Sequence, residues 1–192
     1  MKRGAAALIL ALLAFAFWRA ARPVPPAGLQ GLKPEERAAI QLKTLEDILA
    51  SKNDNDPRLD SDFEDLSPRA KSLFRAKYRE LAPELRNERG TIVYILGKNP
   101  SSGEDWDFLA HAAAEPPCWS LADCSKKAKT AAEAGDEVTL AYPALVALRQ
   151  AQRMLQDPGK GGKDRKEALA VVKAGKGSKM PAVTRMAARI EQ

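Results

Sequence analysis

The stretch TIVYIL, residues 91–96, decides the fold class of this 192-residue chain, because it suits both a strand and a helix. Its β-branched and aromatic residues are typical of a strand. A short continuous apolar run is equally typical of a helix that is buried on all sides. A strand needs a partner, and the only other candidate, EVTLAY at 137–142, is not convincing. We therefore predict that residues 91–96 belong to a buried helix.

Helical patterns lie on both sides of this stretch. Upstream, a helix is predicted over residues 34–51, which begin with a proline and two glutamates, and a second helix is predicted to follow Ser67 as its N-cap. Downstream, Ser101 and Glu104 have the spacing of a capping box, and a strong helix is predicted to begin at Pro143. The positions expected to be buried are Leu42, Leu45, Ile48, Leu49, Ala70, Leu73, Phe74, Tyr78, Leu81, Trp106, Phe108, Leu109, Ala112, Leu145, Leu148, Met154 and Leu155.

Several of these segments share one form, with proline in the first turn and a Gly, Asp or Asn stop after ten to fifteen residues. NDPRLD at 55–60 resembles the Asp-Pro-Arg turn of HEAT-like repeats, and PAVTRMAARIEQ at 181–192 resembles the second helix of such a repeat. This resemblance implies an α-solenoid over residues 34–192 with a concave surface for another protein. The long loops at 52–66 and 115–136 depart from tight repeats. The predicted fold is thus all-α, either a HEAT-like helical repeat or an irregular helical bundle.

The N-terminal part predicts export. Lys2 and Arg3 precede fourteen consecutive apolar residues at 5–18, typical of a signal peptide or a short membrane anchor within residues 1–22. Residues 23–33 are rich in Pro and Gly and are predicted to be a linker. We expect a periplasmic or other extracytoplasmic protein, anchored to the inner membrane if the segment stays uncut. Representative positions of the export or membrane segment are Ala5, Leu8, Leu12, Phe15 and Trp18.

Both cysteines lie in EPPCWSLADC, residues 115–124. Their Cys-x5-Cys spacing differs from the Cys-x-x-Cys of redox motifs, and His111 is the only histidine that could help them bind a metal. In an oxidising compartment two thiols tend to pair, so we predict a Cys118–Cys124 disulfide that shapes one loop, with Trp119 turned inward over it. Free buried thiols, and redox or metal chemistry, are the alternatives.

Positive charge is concentrated near the C-terminus. The chain has a net charge of +6, and residues 159–192 hold nine basic residues against three acidic ones. We interpret this cluster first as a solvated face of the helical domain, and contact with an anionic membrane or an acidic partner is the alternative. Nucleic acid is not expected, because no nucleic-acid-binding motif accompanies the cluster and export argues against chromosomal DNA. The candidate contacts are Lys160, Lys163, Arg165, Lys166, Lys173, Lys176 and Lys179, followed by Arg185 and Arg189.

Motifs for catalysis or ligand binding do not fit the sequence. The acidic run from Asp54 to Asp65 lacks the Gly and the final Glu of a calcium-binding EF-hand loop. DPGKGGKDRK at 157–166 lacks the first Gly and the Ser or Thr of a P-loop. His111 lies in a predicted helix, and the chain has no Gly-x-Ser-x-Gly nucleophile elbow.

These observations predict an exported or membrane-tethered helical module that binds another protein, with no catalytic activity, no metal and no cofactor. One alternative is a module that binds an anionic surface or an acidic partner through the basic C-terminal part. Another is an enzyme of unknown type that uses the acidic loop or the cysteine loop.

Overall fold

The computed structural model describes residues 31–191, and these residues form ten helices and no strand. The prediction of an all-α fold is therefore confirmed for the described residues. In chain order the helices are α1 (Pro34–Ser51), α2 (Arg58–Ser61), α3 (Pro68–Glu80), α4 (Arg86–Lys98), α5 (Gly103–Ala113), α6 (Ala131–Ala134), α7 (Glu137–Leu140), α8 (Tyr142–Gln156), α9 (Gly162–Lys176) and α10 (Pro181–Ile190).

The N-terminal segment predicted to direct export or anchor the chain, residues 5–18, lies outside the described residues, as does most of the 23–33 linker. Between residues 31 and 191 no helix has both the length and the apolar character needed to cross a bilayer.

Residues 91–96 lie inside α4, so the prediction of a buried helix is confirmed. Two glycines seven residues apart, Gly90 and Gly97, explain how other helices cover it so closely. A Cβ atom at Gly90 would lie 2.2 Å from the Tyr142 ring, and one at Gly97 would lie 2.5 Å from Cγ of Gln150. Helix α8 therefore packs directly against the backbone of α4. The second strand candidate, EVTLAY, forms α7 and the first residue of α8.

Helix α8 lies at the centre of the packing and contacts α4, α5, α9 and α10. Small residues allow this, because Ala144, Ala147 and Ala151 line its buried face beside Leu148. Helix α9 also packs on α5, while α1 packs on α3, and α3 on α4. Most of the core is therefore built between helices that are distant in sequence.

The start of α5 differs from the prediction by one residue. The N-cap is Ser102 and its capping-box partner is Asp105, so the predicted box of Ser101 and Glu104 was wrong. The sequence SSGED contains both boxes in overlapping register. Asp105 is the capping-box residue because its buried side chain also forms an ion pair with Lys71, whereas Glu104 remains exposed.

Candidate binding groove between α3 and α5

An open groove of about 810 Å³ runs between α3 and α5 and ends at the loop that follows α5. Tyr78 and Phe108 form its floor, with their rings edge to face and the ring centroids 5.0 Å apart. Charged side chains line both sides of this aromatic floor. They are Arg75, Arg79 and Arg89 on one hand, and Glu104, Asp107 and Glu115 on the other.

At the N-terminal end of α5, Asp105 joins this helix to α3 through two ion pairs. Lys71 Nζ lies 2.8 Å from Oδ2 of Asp105, and Arg75 Nη1 lies 2.8 Å from Oδ1. The same carboxylate accepts hydrogen bonds from the backbone N–H groups of Ser101 and Ser102. Burial alone would raise the pKa of Asp105, but the hydrogen bonds from Lys71 and Ser101 and the nearby positive charges hold it below its usual value.

At the C-terminal end of α5 the fastening is Glu115, which lies just past the helix. Its Oε1 accepts a 2.5 Å hydrogen bond from the Tyr78 hydroxyl and another from Arg89 Nη2. Its Oε2 is 3.5 Å from Arg86 Nη1. The Arg89 guanidinium also lies over the Tyr78 ring, 3.9 Å from the centroid, and Arg89 Nη1 donates to the carbonyl oxygens of Tyr78 and Leu81.

The Glu115 cluster holds two guanidinium groups against one carboxylate. Within the described residues, Nε and Nη2 of Arg86 and Nε of Arg89 are buried without a hydrogen-bond acceptor. Burial lowers the pKa of Arg86, although an arginine remains charged under any ordinary condition. Burial, together with the charge and hydrogen bond of Glu115, raises the pKa of Tyr78 well above its usual range. At neutral pH the Tyr78 hydroxyl is therefore protonated and donates its hydrogen bond to Glu115.

The mouth of the groove carries charges that remain free. Arg79 on α3 and Asp107 on α5 are exposed, and neither side chain forms an ion pair with another described residue. His111 is also exposed, and its Nδ1 lies 3.0 Å from the carbonyl oxygen of Asp107, one helical turn earlier. Ser72 lines the same groove, but no hydrogen bond between described residues joins it to His111. The arrangement offers binding groups on both sides, without the linked nucleophile and base that catalysis by serine requires.

The cysteine loop lies next to this end of the groove. The Sγ atoms of Cys118 and Cys124 are 2.08 Å apart, so the predicted disulfide pair is confirmed. The Cys124 N–H donates to Glu84 Oε1 at 2.7 Å, which fixes the loop to the start of α4. The prediction for Trp119 was wrong, because this side chain is 45% exposed and points away from the core. The disulfide itself is buried, so the loop does not need a ring to cover it.

The acidic loop before α3 uses its carboxylates to join neighbouring elements. Asp56 pairs with Arg58, and Asp60 accepts hydrogen bonds from Tyr94 and Lys98 on α4. No group of three or more His, Cys, Asp or Glu side chains within residues 31–191 is arranged to hold a metal ion.

Some of the basic residues near the C-terminus lie together on one helix face, and the others lie apart from it. Lys163, Lys166, Lys173 and Lys176 are brought together on the exposed face of α9. Arg165 donates to the carbonyl oxygen of Leu155, Lys160 is half-buried, and Lys179 lies in the turn after α9.

Sequence reasoning missed the two buried ion clusters that define the groove. Lys71, Arg86, Arg89 and Glu115 resemble surface charges in sequence, and their partners lie 26 to 37 residues away. One signal was present, since Arg86 and Arg89 stand three residues apart at the start of the apolar helix α4. A buried helix carries such residues only where a carboxylate from another element meets them.

No family model, curated protein or solved structure matches this chain. Its function is therefore inferred from the chemistry and geometry of the groove.

Proposed function

We propose that this protein is an exported or membrane-tethered interaction module without catalytic activity, and that the α3–α5 groove holds a segment of another protein. The observation that carries the proposal is the aromatic floor of Tyr78 and Phe108 between two rows of charged side chains. Aromatic rings and arginines are the side chains that supply most of the binding energy at protein interfaces.

The groove is suited to binding because it is formed before a partner arrives. The Asp105 cluster joins α3 to the start of α5, and the Glu115 cluster joins α3 and α4 to its end. Walls that are already ordered lose little conformational entropy on binding. The free charges of Arg79 and Asp107 favour a segment that carries an acidic and a basic residue on either side of an apolar or aromatic one.

The alternative of an enzyme has one observation in its favour, because His111 shares the groove with Glu104 and Asp107. The other groups of the groove do not support catalysis, because they are already engaged by neighbouring side chains. Glu104 is paired with Arg75, Glu115 is held by three donors, and Tyr78 stays protonated. Only Asp107 is then left as a candidate acidic partner for His111, and an exposed aspartate near an exposed histidine is common on protein surfaces. Binding therefore accounts for more of the groove than catalysis does.

The proposed location outside the cytoplasm rests on two features. The disulfide of Cys118 and Cys124 is compatible with an extracytoplasmic location. The apolar run at residues 5–18 has the length and the basic flank of an export signal. Together they favour a periplasmic protein that is either released or held at the inner membrane.

The packing also leads us to infer an irregular helical bundle rather than a HEAT-like solenoid. In a solenoid each repeat contacts only its neighbours in sequence. Here α4 packs on α8, and α5 packs on α9, across the cysteine loop. The interaction surface we propose is accordingly a groove between two helices, not the concave side of a stacked array.

Site-specific photo-crosslinking in the native cell envelope tests this function. A photoreactive residue placed at Arg79 or at Asp107 covers the two walls of the groove, and one placed at Glu35 on α1 serves as an exposed control. We expect both groove positions to capture the same protein, seen as one shared adduct mass, and the control position not to capture it.

A competing variant makes the result specific. Ala114→Arg places a long charged side chain at the end of the groove, because Ala114 is an exposed lining residue just past α5. We expect this variant to lose the shared adduct while its circular dichroism spectrum stays helical. Equal capture from Glu35, or different adducts from the two walls, would exclude the groove as the binding site.

A further inference from the structure

We propose that the exposed face of α9 binds an anionic phospholipid surface. This basic face consists of Lys163, Arg165, Lys166, Leu169, Lys173 and Lys176. It is distinct from the groove between α3 and α5, and it does not depend on the groove's function.

Helical spacing places these residues on one side of α9. At 3.6 residues per turn, positions 166, 169, 173 and 176 fall on one stripe about 15 Å long, and Lys163 and Arg165 lie at its two edges. The opposite side of α9 is buried through Ala168, Val171, Val172 and Gly175. The stripe therefore faces solvent because the rest of the helix faces α5 and α8.

Acidic side chains are kept off this face. Asp164 and Glu167 are the acidic residues of α9; both are half-buried, and neither lies on the stripe of positions 166, 169, 173 and 176, although Glu167 is one helical turn from Lys163 at its edge. Of the basic side chains on this face, Lys176 alone forms an ion pair with another residue of the described part of the chain, Glu191 at 2.5 Å. The centre of the stripe, around Lys166 and Lys173, thus keeps its full positive charge.

An exposed apolar residue interrupts the charges. Leu169 is 49% exposed, although it lies between Lys166 and Lys173 on a helix whose core side is already filled. An apolar side chain flanked by lysines is the pattern of a helix that lies on a membrane, where the lysine stems reach back to the headgroups.

A membrane fits this face better than an acidic protein segment. The stripe has no groove or aromatic pocket to fix a defined peptide, and its lysines are flexible point charges rather than the bidentate groups that select one carboxylate. The sequence also predicts an export or anchor segment that would deliver the domain to a lipid surface. Each lysine close to an anionic surface adds roughly 1 kcal/mol of attraction at physiological salt.

Vesicle partitioning of the full chain tests the proposal. One set of vesicles contains phosphatidylcholine alone, and the other an equal mixture of phosphatidylcholine and phosphatidylglycerol. Any binding through the apolar segment at 5–18 acts on both sets of vesicles and in every variant, so the measured quantity is the ratio of the two partition coefficients. We expect the wild type to prefer the anionic vesicles by on the order of tenfold or more.

The decisive variant replaces Lys163, Lys166 and Lys173 by Gln. We expect it to lose most of the anionic preference, about a tenfold fall or more. The control replaces Lys52, Lys127 and Lys129 by Gln, which removes the same charge from exposed positions elsewhere. We expect the control to keep most of the preference. An equal loss in both variants, or no preference in the wild type, would overturn the proposal.

Two further measurements separate the sources of attraction. Leu169→Gln should weaken binding to the anionic vesicles several-fold if its side chain enters the interface, and an unchanged affinity would refute that contact. Soluble polyglutamate serves as an acidic polypeptide. If it binds to the α9 face as tightly as the anionic vesicles do, the surface is a site for acidic proteins and the lipid proposal fails.

Discussion

The two ends of α5 each bury a carboxylate, but they satisfy it differently. At the first turn, Asp105 receives two cationic side chains and two backbone N–H groups. Just past the last turn, Glu115 receives two arginines and the Tyr78 hydroxyl, and no backbone donor. Counting partners among residues 31–191, the first cluster has no buried side-chain nitrogen or oxygen atom without a hydrogen bond, whereas three guanidinium nitrogens of the second cluster have none.

The helix dipole explains the difference. The first turn of a helix presents free N–H groups and a partial positive charge, so a carboxylate there is stabilised by the backbone itself. The last turn presents carbonyl oxygens and a partial negative charge, which repel a carboxylate. Glu115 is held there by Arg86 and Arg89, which lie in the first turn of α4. Arg89 also donates to the carbonyl oxygens of Tyr78 and Leu81 at the C-terminal end of α3, where a cation is favoured.

The comparison assigns different roles to the two clusters. The Asp105 cluster is a closed structural fastening between α3 and α5. The Glu115 cluster borders the groove through Arg89 and Tyr78 and still has unused donors. We expect the first to determine stability and the second to be more tolerant of change and more responsive to ligands.

Asp105→Ala should have the largest effect. It leaves Lys71 and Arg75 without their shared counter-charge in a buried site and removes the capping box of α5. We expect the free energy of unfolding, measured by urea denaturation, to fall by roughly 3–5 kcal/mol.

Glu104→Gln is the matched control, because Glu104 also pairs with Arg75 but is exposed. We expect a change of less than about 1 kcal/mol. Similar losses in the two variants would mean that Asp105 is not the fastening described here.

Glu115→Gln should have the next largest effect, a loss of roughly 2–3 kcal/mol. The amide keeps an acceptor for Tyr78, but two buried guanidinium groups lose their counter-ion. The loss is smaller than at Asp105 because Arg89 lines the open groove, where water can reach it.

Added anions distinguish the two ends. We expect sulfate to restore more stability to Glu115→Gln than to Asp105→Ala at the same concentration, since an anion can reach Arg89 through the groove. Equal gains in the two variants would indicate a general salt effect and contradict the predicted accessibility.

Replacing Cys118 and Cys124 together by serine should cost about 2 kcal/mol, because the bond closes only a short loop. The helical circular dichroism spectrum should survive. Since this loop follows Glu115 directly, the loss should be additive with Asp105→Ala and less than additive with Glu115→Gln. Complete unfolding of the double serine variant would show that the disulfide stabilises the whole domain and not only the loop after α5.

Acid should weaken the Asp105 end in a defined direction. Its pKa is held below the value of about 3.9 for an unfolded aspartate, so its stabilising effect is present above that pH and is lost as the pH falls through the folded pKa. We expect the free energy of unfolding of Asp105→Asn to depend less on pH than that of the wild type below about pH 4. Urea denaturation across this range measures the difference, and parallel curves would contradict it.

Local signals predicted the helices well. Proline in the first turn and Ser67 as N-cap gave the starts of α1 and α3, and the predicted end of α1 at residue 51 is confirmed. These signals act within one turn of helix, so the sequence alone contains them. The cysteine pair was predictable for the same reason, because only six positions separate its members.

The sequence by itself thus determined the helical class, the starts of α1 and α3 and the disulfide pair. Tertiary structure alone decided that Ser102, and not Ser101, is the N-cap of α5, because Lys71 of α3 forms an ion pair with Asp105 and not with Glu104. It likewise decided that Glu115, Arg86 and Arg89 are buried together. In the sequence a buried, ion-paired side chain cannot be told from a solvent-exposed charge until its partner is known, and here the partners lie outside the helix that carries it.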